Sequence, residues 1–479
     1  MNFELVVYFF GWTLSVIYSV YCFSFNSFQY FIYYEDIYND FTDDLSFLPK
    51  RDKSDLEWEL IVFMMKQYFL WIAVYLIFSY FIKKRIKHLQ VLQLWQILFT
   101  TTYILIKWNY VFLFLILLQP MVFHICSHFK YRIYSVWITS GFFLIFLNYF
   151  KSTVTGDSIV FHLLNVEDFE LYILISSLFW INLRCISFYL ETDQNYNLLD
   201  VLSYCLYPPT VLTGPFILYN EYQANYYFKE VYLVKFKQFC KNICRTIIWY
   251  IFCHICLHFV YVSATGFHPQ MIKRFNSWSL YGYGYAMGQF FHLKYVVLYG
   301  MSTSFASFED IKVPCLPRCI GRIHLYSEMW KFFDPGLYNF LIKNIYLPLT
   351  NITTSKPIRS FICFSFVYVW HGLDIHILIW ALLNYSGLMI EDFLWPKKVN
   401  EKIIVYKQSW KRRKDCFIAA FLLGLSAISN FYFFAGADVG HLFFERIFSD
   451  YYGNVILIVA LYCCCQISYE LKFLPANKM

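Results

Sequence analysis

The chain has 479 residues, of which 59% are hydrophobic, 23% are aromatic and only 15% are charged. Soluble domains are close to half apolar and a quarter charged, so this composition excludes an ordinary soluble protein and indicates a polytopic membrane domain. The net charge of +7 is concentrated in short loops beside apolar segments. That position favours membrane topology signals and makes nucleic-acid binding a poor interpretation. A second interpretation is attraction for a cytosolic polyanion such as a coenzyme A thioester.

Stretches long and apolar enough to cross a membrane recur along the whole chain. They predict an all-α polytopic protein with about 10–12 transmembrane helices plus re-entrant or amphipathic segments around a through-membrane cavity. The windows lie at about residues 5–25, 60–82, 91–118, 132–150, 170–190, 244–262, 280–300, 360–379, 416–436 and 454–470. Two further apolar stretches, 200–219 and 336–350, are broken or amphipathic. Broken backbone at membrane depth must be buried in protein or line a cavity.

Charge patterning predicts the orientation of the chain. No basic segment precedes the first apolar stretch and no small-residue cleavage pattern follows it, so we expect a retained helix rather than a signal peptide. The next loop is acidic, with Glu35, Asp36, Asp40, Asp43 and Asp44, whereas "KKRIKH" (83–88) and "KRRK" (411–414) are basic. The positive-inside rule places the basic loops and the N-terminus in the cytosol. The predicted organisation is a single polytopic domain, 1–479, with N-terminal helices in 1–130, a catalytic core at about 131–450 and a C-terminal helix in 451–479.

The stretch "FSFVYVWHGLDIHILIWALLN", residues 364–384, is apolar except at a few positions, of which His371 and Asp374 stand out. Ionisable groups inside membrane spans are energetically costly and are candidates for function. His371 could be a packing histidine, a relay residue of a transporter or channel, or a catalytic base. Asp374 would lie on the same face of a continuous helix and could neutralise an imidazolium there.

Upstream, residues 313–349 mix aromatic side chains with Glu328, Lys331 and Asp334. Asp334 precedes Pro335, so it predicts a helix N-cap followed by proline at the first helical position. A cap can also be an active-site acid. A continuous helix would separate Asp334 from His371 by roughly 55 Å, so the two can meet only if the intervening segment turns the chain back.

Several motifs together resemble the Hedgehog acyltransferase branch of the membrane-bound O-acyltransferase superfamily. They are "YCLYPPTVLTGPFILYNEY" (204–222), "KYVVLYGM" (294–301), "PRCIG" (317–321), "SEMWKFFDPGLYNFLIKNIYLPL" (327–349), "VYVWHG" (367–372), "WALLNYSGLMIED" (380–392) and "ISNFYFFAGADVGHLFFERIF" (428–448). The resemblance covers more than half of the chain. It implies a multi-pass acyltransferase of the endoplasmic reticulum, with the Golgi as a second location.

The resemblance also implies a reaction. Palmitate would pass from palmitoyl-CoA, the acyl donor, to the N-terminal cysteine amine of a secreted protein in the lumen, forming an amide. The expected acceptors are Hedgehog-type proteins, with EGF-like ligands as a further class. His371 is similar to the superfamily histidine and Asp334 to the acidic residue of this branch. Relatives that modify lipids or Wnt proteins usually have Asn at the second position, so Asp334 favours the N-acylating branch.

Further site residues follow from the same motifs. Those expected to bind substrate are Trp330, Asn339, Trp370 and Asn384. Cys319, in "PRC", is similar to the cysteine through which family members bind the iron of haem b. The sequence departs from the family pattern at Gly372-Leu373, where the family has Gly-Gly, and at Pro335. The alternatives that stay open are another acceptor, such as a Wnt serine or a lysolipid, and a transporter or channel with a polar relay.

Overall fold

The computed structural model describes residues 3–33, 40–153, 167–192, 196–223, 232–319, 321, 323–395 and 409–472. The acidic-loop residues Glu35 and Asp36, and the last residues of the predicted C-terminal segment, lie outside these ranges. Within them, the strands belong to one short antiparallel hairpin, β1 (Phe41–Thr42) and β2 (Arg51–Asp52). All remaining regular structure that is described is helical.

Nineteen α-helices make up the described fold, with short π-helical turns at Met64–Tyr68, Ile82–Ile86 and Ile342–Tyr346 and 3-10 turns at Pro208–Thr210 and Pro348–Asn351. In chain order they are α1 (Phe3–Tyr33), α2 (Leu56–Phe63), α3 (Phe69–Phe81), α4 (Leu89–Lys107), α5 (Tyr110–Ser127), α6 (Arg132–Thr153), α7 (Asp168–Glu191), α8 (Leu198–Cys205), α9 (Tyr219–Gln223), α10 (Tyr232–Cys256), α11 (Val262–Gly266), α12 (Pro269–Lys273), α13 (Ser277–Phe308), α14 (Tyr326–Phe333), α15 (Pro335–Leu341), α16 (Lys356–His371), α17 (Ile375–Leu394), α18 (Ser409–Ser449) and α19 (Tyr451–Lys472).

Nine helical stretches among the described residues are long and apolar enough to cross a membrane. The all-α polytopic architecture predicted from composition is therefore confirmed. The longest central helix, α13, has 32 residues and is about 48 Å long. It packs against α1 and α10 and carries much of the buried wall behind the site.

Two predicted windows each contain parts of two helices. Window 91–118 contains nearly all of α4 and the first half of α5. The two helices are separated at Trp108 and Asn109, because the Asn109 side chain caps α5 by accepting a hydrogen bond from the Phe112 amide at 2.9 Å. Window 360–379 breaks after His371. There Gly372 adopts a φ of 143°, a left-handed backbone that favours glycine, and α17 begins only at Ile375. Asp374 therefore does not share a helix with His371.

The long helix α18 also contains a break. Gly436 has φ 80° and ψ −174°, which is not helical. Only glycine adopts this backbone region readily. The break separates the part of α18 that packs against α17 from the part that reaches the α12 region.

The Pro-rich stretch after α8 is buried in protein, as we expect for broken backbone inside a membrane. Arg184, on α7 and 2% exposed, donates from Nη1 to the Cys205 carbonyl at 2.9 Å and from Nη2 to Thr210 Oγ1 at 2.8 Å. The guanidinium thereby satisfies acceptors that have no helical partner.

The hairpin marks one end of the bundle. The Asp52 carboxylate accepts hydrogen bonds from the Ser263 and Ala264 amides at 2.9 and 3.0 Å, so α11 lies at the same end. Arg446, near the end of α18, donates to the carbonyls of Lys273, which ends α12, and of Phe275, just after it. We call this end the hairpin side; it is the side that charge patterning predicts to be lumenal.

Candidate active site

Asp334 lies at the junction of α14 and α15, where the chain turns back. Its Oδ1 accepts a hydrogen bond from the Leu337 amide at 2.9 Å, which makes it the N-cap of α15, and Pro335 occupies the first turn. Its Oδ2 accepts a hydrogen bond from the Tyr299 hydroxyl at 2.8 Å. One bond on each oxygen fixes the plane of the carboxylate and leaves lone pairs on both oxygens for a further partner.

His371 is the last residue of α16 and its ring lies among aromatic side chains. The centroid distances are 4.7 Å to Trp370, 5.4 Å to Trp380 and 5.0 Å to Phe433, all close to perpendicular. Within the described residues, the imidazole has no side-chain hydrogen-bond partner. Asp374 contacts Lys151 instead, with Nζ and Oδ2 3.7 Å apart. The Asp374–imidazolium pair considered from the sequence is therefore not formed.

Asp334 and His371 line the same cavity, which has a volume of about 320 Å³. The chain return that lets both residues face one cavity is thus present. Most of the lining is aromatic or aliphatic. The cavity extends along α13 from Tyr299 to Tyr281 and reaches Arg446 and Asn454 on the hairpin side.

Three of the four predicted substrate-binding residues also line this cavity: Trp330, Trp370 and Asn384. Trp370 is held by a hydrogen bond from its Nε1 to the Phe179 carbonyl at 3.2 Å. The Asn384 amide donates to the Trp380 carbonyl at 2.8 Å and to Ser429 at 3.2 Å. The indole of Trp330 stands 5.5 Å from that of Trp380, centroid to centroid.

Asn339 is placed differently from the expectation. It lies on α15 with an exposed side chain and is not among the described residues that line the cavity. The reason is helical geometry: α15 turns Leu337, Tyr338 and Leu341 toward the cavity, and position 339 falls on another face of the same short helix.

Two polar residues of the site were not predicted from the sequence. Tyr299 orients Asp334, as described above. Asn430 lines the cavity and its Oδ1 accepts a hydrogen bond from the Trp380 Nε1 at 3.1 Å, which fixes the indole that faces His371. Residue type alone does not identify these two positions, because the chain contains 43 tyrosines and Asn430 directly follows another polar residue, Ser429.

Cys319 lies beside the cavity rather than on its lining. Its Sγ is 4.0 Å from Gln289 Oε1, and Trp12, Tyr285 and Gly321 line the neighbouring cavity wall. The Gln289 Nε2 is buried and has no hydrogen-bond partner within the described chain. No group of three or more His, Cys, Asp or Glu that could hold a metal ion occurs among the described residues. Haem needs only one protein thiolate as an axial ligand, so haem binding at Cys319 stays a prediction.

These observations define a class: an integral membrane protein of many helices whose candidate reactive side chains face an enclosed, mainly apolar cavity. The model of the membrane-bound O-acyltransferase family, MBOAT, matches residues 58–434. The chain belongs to this family, and it is an acyltransferase.

Three individual proteins of this family are similar to the chain over much of its length. The chain is 32% identical over 355 residues to protein-cysteine N-palmitoyltransferase Rasp of Drosophila melanogaster, covering 70% of this chain and 68% of that protein. It is 27% identical over 280 residues to protein-cysteine N-palmitoyltransferase HHAT of Mus musculus, covering 55% of each. It is 25% identical over 298 residues to membrane-bound O-acyltransferase GUP2 of Saccharomyces cerevisiae, covering 58% of this chain and 46% of that protein. The chain spans about half the length of the latter two relatives.

Proposed function

We propose that this acyltransferase moves palmitate from palmitoyl-CoA to the amine of an N-terminal cysteine on a secreted protein of the Hedgehog type. The observation that carries the proposal is that Asp334 and His371 line the same apolar cavity, together with the similarity to two protein-cysteine N-palmitoyltransferases. The proposed location is the endoplasmic reticulum membrane, with the hairpin side in the lumen.

The cavity suits an acyl chain in length and character. Tyr281 and Tyr299 are 18 residues apart on one continuous helix, about 27 Å at 1.5 Å per residue. An extended palmitoyl chain, at about 1.2 Å per bond, is about 18 Å long. Each buried methylene contributes about 0.8 kcal/mol. The chain can therefore lie along α13 with its carbonyl near Asp334 and His371.

The chemistry follows from the two polar groups. The amine of the acceptor, with an ordinary pKa of about 7.7–8.0, attacks the thioester carbonyl after losing its extra proton. His371 accepts the proton that the nitrogen releases as the amide bond forms and passes it to the CoA sulfur as the carbon–sulfur bond breaks, so that CoA leaves as a thiol. Asp334 holds the acceptor nitrogen or orients His371, and the aromatic walls exclude water that would hydrolyse the thioester. Trp330, Trp370 and Asn384 shape the chamber.

Haem is part of the proposal. Cys319 would supply the thiolate to the iron, and Trp12 and Tyr285 would lie beside the group. Haem bound there would have a structural effect on the wall of the cavity, and no step of the acyl transfer involves it.

The test is a panel of acceptors offered to the purified wild-type protein with labelled palmitoyl-CoA. We expect hydroxylamine-resistant label in a peptide that begins with cysteine, and none in its N-acetylated form. Preferential labelling of a serine-containing peptide or of a lysophospholipid would contradict the proposed acceptor. In that case the acyltransferase would act on the acceptor that became labelled.

A further inference from the structure

A buried ion triplet lies behind the cavity wall that carries Tyr299. Lys294, on α13 and 5% exposed, places its Nζ 2.7 Å from Asp55 Oδ2 and 2.8 Å from Glu57 Oε2. Asp55 caps α2, accepting a hydrogen bond from the Trp58 amide at 2.7 Å. Three charged groups from two helices thus meet at one point, which we call the α2–α13 triplet.

Hydroxyl groups connect the triplet to the site. Glu57 Oε1 accepts hydrogen bonds from the Tyr172 hydroxyl at 2.7 Å and from the Tyr295 hydroxyl at 3.1 Å. Tyr295 lines the cavity. It lies one helical turn before Tyr299, whose hydroxyl binds Asp334. Glu57 is therefore separated from the cavity by a single side chain.

The triplet carries a surplus of negative charge. Asp55 and Glu57 contribute two carboxylates and Lys294 contributes one ammonium. An ion pair that links α2 to α13 would need only one carboxylate. Buried ion pairs are also weak evidence that a contact serves stability. Asp334 adds another carboxylate nearby, and it makes no ion pair with a Lys or Arg of the described chain. The side chain of Glu57 is 28% exposed, so solvent screens its charge only in part.

A negative field beside Tyr295 and Tyr299 favours a cation in this part of the cavity and repels phosphate groups. In the proposed reaction the acceptor arrives as an ammonium, whereas the CoA head group is strongly anionic. The surplus charge would thus attract one substrate and keep the other's head group on the opposite side of the membrane.

We propose that Asp55 and Glu57 are positioning residues that attract the α-ammonium of the acceptor polypeptide toward Asp334. This inference rests on the proposed function and identifies how its acceptor is selected. The two carboxylates act through their charge, without contact with the reacting atoms.

The experiment measures binding and transfer for Glu57→Gln and Asp55→Asn. Each variant removes one unit of charge, and Asn keeps the helix cap. Binding is followed by fluorescence anisotropy with a labelled peptide that begins with cysteine, and with its N-acetylated form. In each variant we expect the ratio of the affinities for the free-amine and the N-acetylated peptide to fall about tenfold, and the peptide KM to rise about tenfold. The KM for palmitoyl-CoA should stay within about twofold of the wild-type value.

Glu59→Gln is the matched control. Glu59 lies on the same helix with a side chain 29% exposed, and it pairs with Arg51 of the hairpin at 2.6 Å rather than with Lys294. The same substitution there should leave the amine preference unchanged. Asp55→Asn serves as the second test if Glu57→Gln does not yield folded protein.

Two outcomes would overturn the inference. One is an unchanged amine preference in both variants. The other is an equal loss of affinity for the free and the acetylated peptide, which would show that the triplet only supports the fold. A wild type that transfers no palmitate would contradict the proposed function and not the inference about the triplet. The role of the triplet is decided by the peptide-binding measurement, which does not require transfer.

Discussion

Tyr299→Phe tests the geometry of the site with the removal of one oxygen atom. The hydroxyl is the donor to Asp334 Oδ2 at 2.8 Å, and the side chain is 2% exposed, so water cannot readily replace it. A hydrogen bond to a charged group contributes about 1.5–3 kcal/mol. If it holds Asp334 in its reactive orientation, its loss lowers kcat/KM between about tenfold and about a hundredfold.

The assay is acyl transfer from palmitoyl-CoA to a cysteine peptide, with kcat and KM measured separately. Tyr283→Phe is the matched control, because Tyr283 lies on the same helix, is fully buried, and its hydroxyl has no partner within the described structure. Removing that hydroxyl should leave kcat/KM within about twofold and should not destabilise the protein. The reasoning is refuted if Tyr299→Phe keeps the wild-type kcat/KM, or if Tyr283→Phe loses as much.

Three further predictions concern the fold, the hairpin and the haem. Gly436→Ala should lower the thermal midpoint measured by tryptophan fluorescence, because a φ of 80° costs an L-residue about 1–3 kcal/mol. Steric contact adds nothing to this cost, since no atom lies within 4 Å of the added Cβ. An unchanged midpoint would contradict this. Burial raises the pKa of the Asp52 carboxyl from 3.8 to about 6, so the folded state binds more protons and the free energy of unfolding falls as pH rises from about 4 to about 6. Asp52→Asn should remove this pH dependence, measured as the thermal midpoint from pH 4 to pH 7. An identical pH dependence in the variant would show that Asp52 is not its source. Cys319→Ala should abolish the haem absorption band of the purified protein, and a wild type without the band would refute haem binding.

Much of the fold could be predicted because burial in a membrane imposes a simple pattern. Long apolar windows indicated most of the long helices, and Asp334 followed by Pro335 indicated the cap of α15. The two windows that contain two helices each had local signals that an average of hydropathy over the window does not detect. Asn109 is a good N-cap, and Gly372 follows His371 at the point where the helix ends.

The candidate site was only partly predictable. Asp334 and His371 stood out because ionisable groups are rare in apolar surroundings. Glu57 is 277 positions before Asp334 in the chain, and no local pattern links the two. Its connection through Tyr295 and Tyr299 exists only because α2 packs against α13. Asn339 was expected to bind substrate and does not line the cavity. A sequence motif fixes the position of a residue along the chain but not the face of a short helix on which it lies.

The most direct test of the central claim compares the wild type with His371→Ala and Asp334→Asn in palmitoyl transfer to a cysteine peptide, read by mass spectrometry. Asn retains the capping acceptor for the Leu337 amide, so Asp334→Asn should fold normally. The account predicts amide-linked palmitate with the wild type and a loss of at least about a hundredfold in each variant. Wild-type rates in either variant, in folded protein, would contradict the assignment of Asp334 and His371 as the residues that carry the reaction.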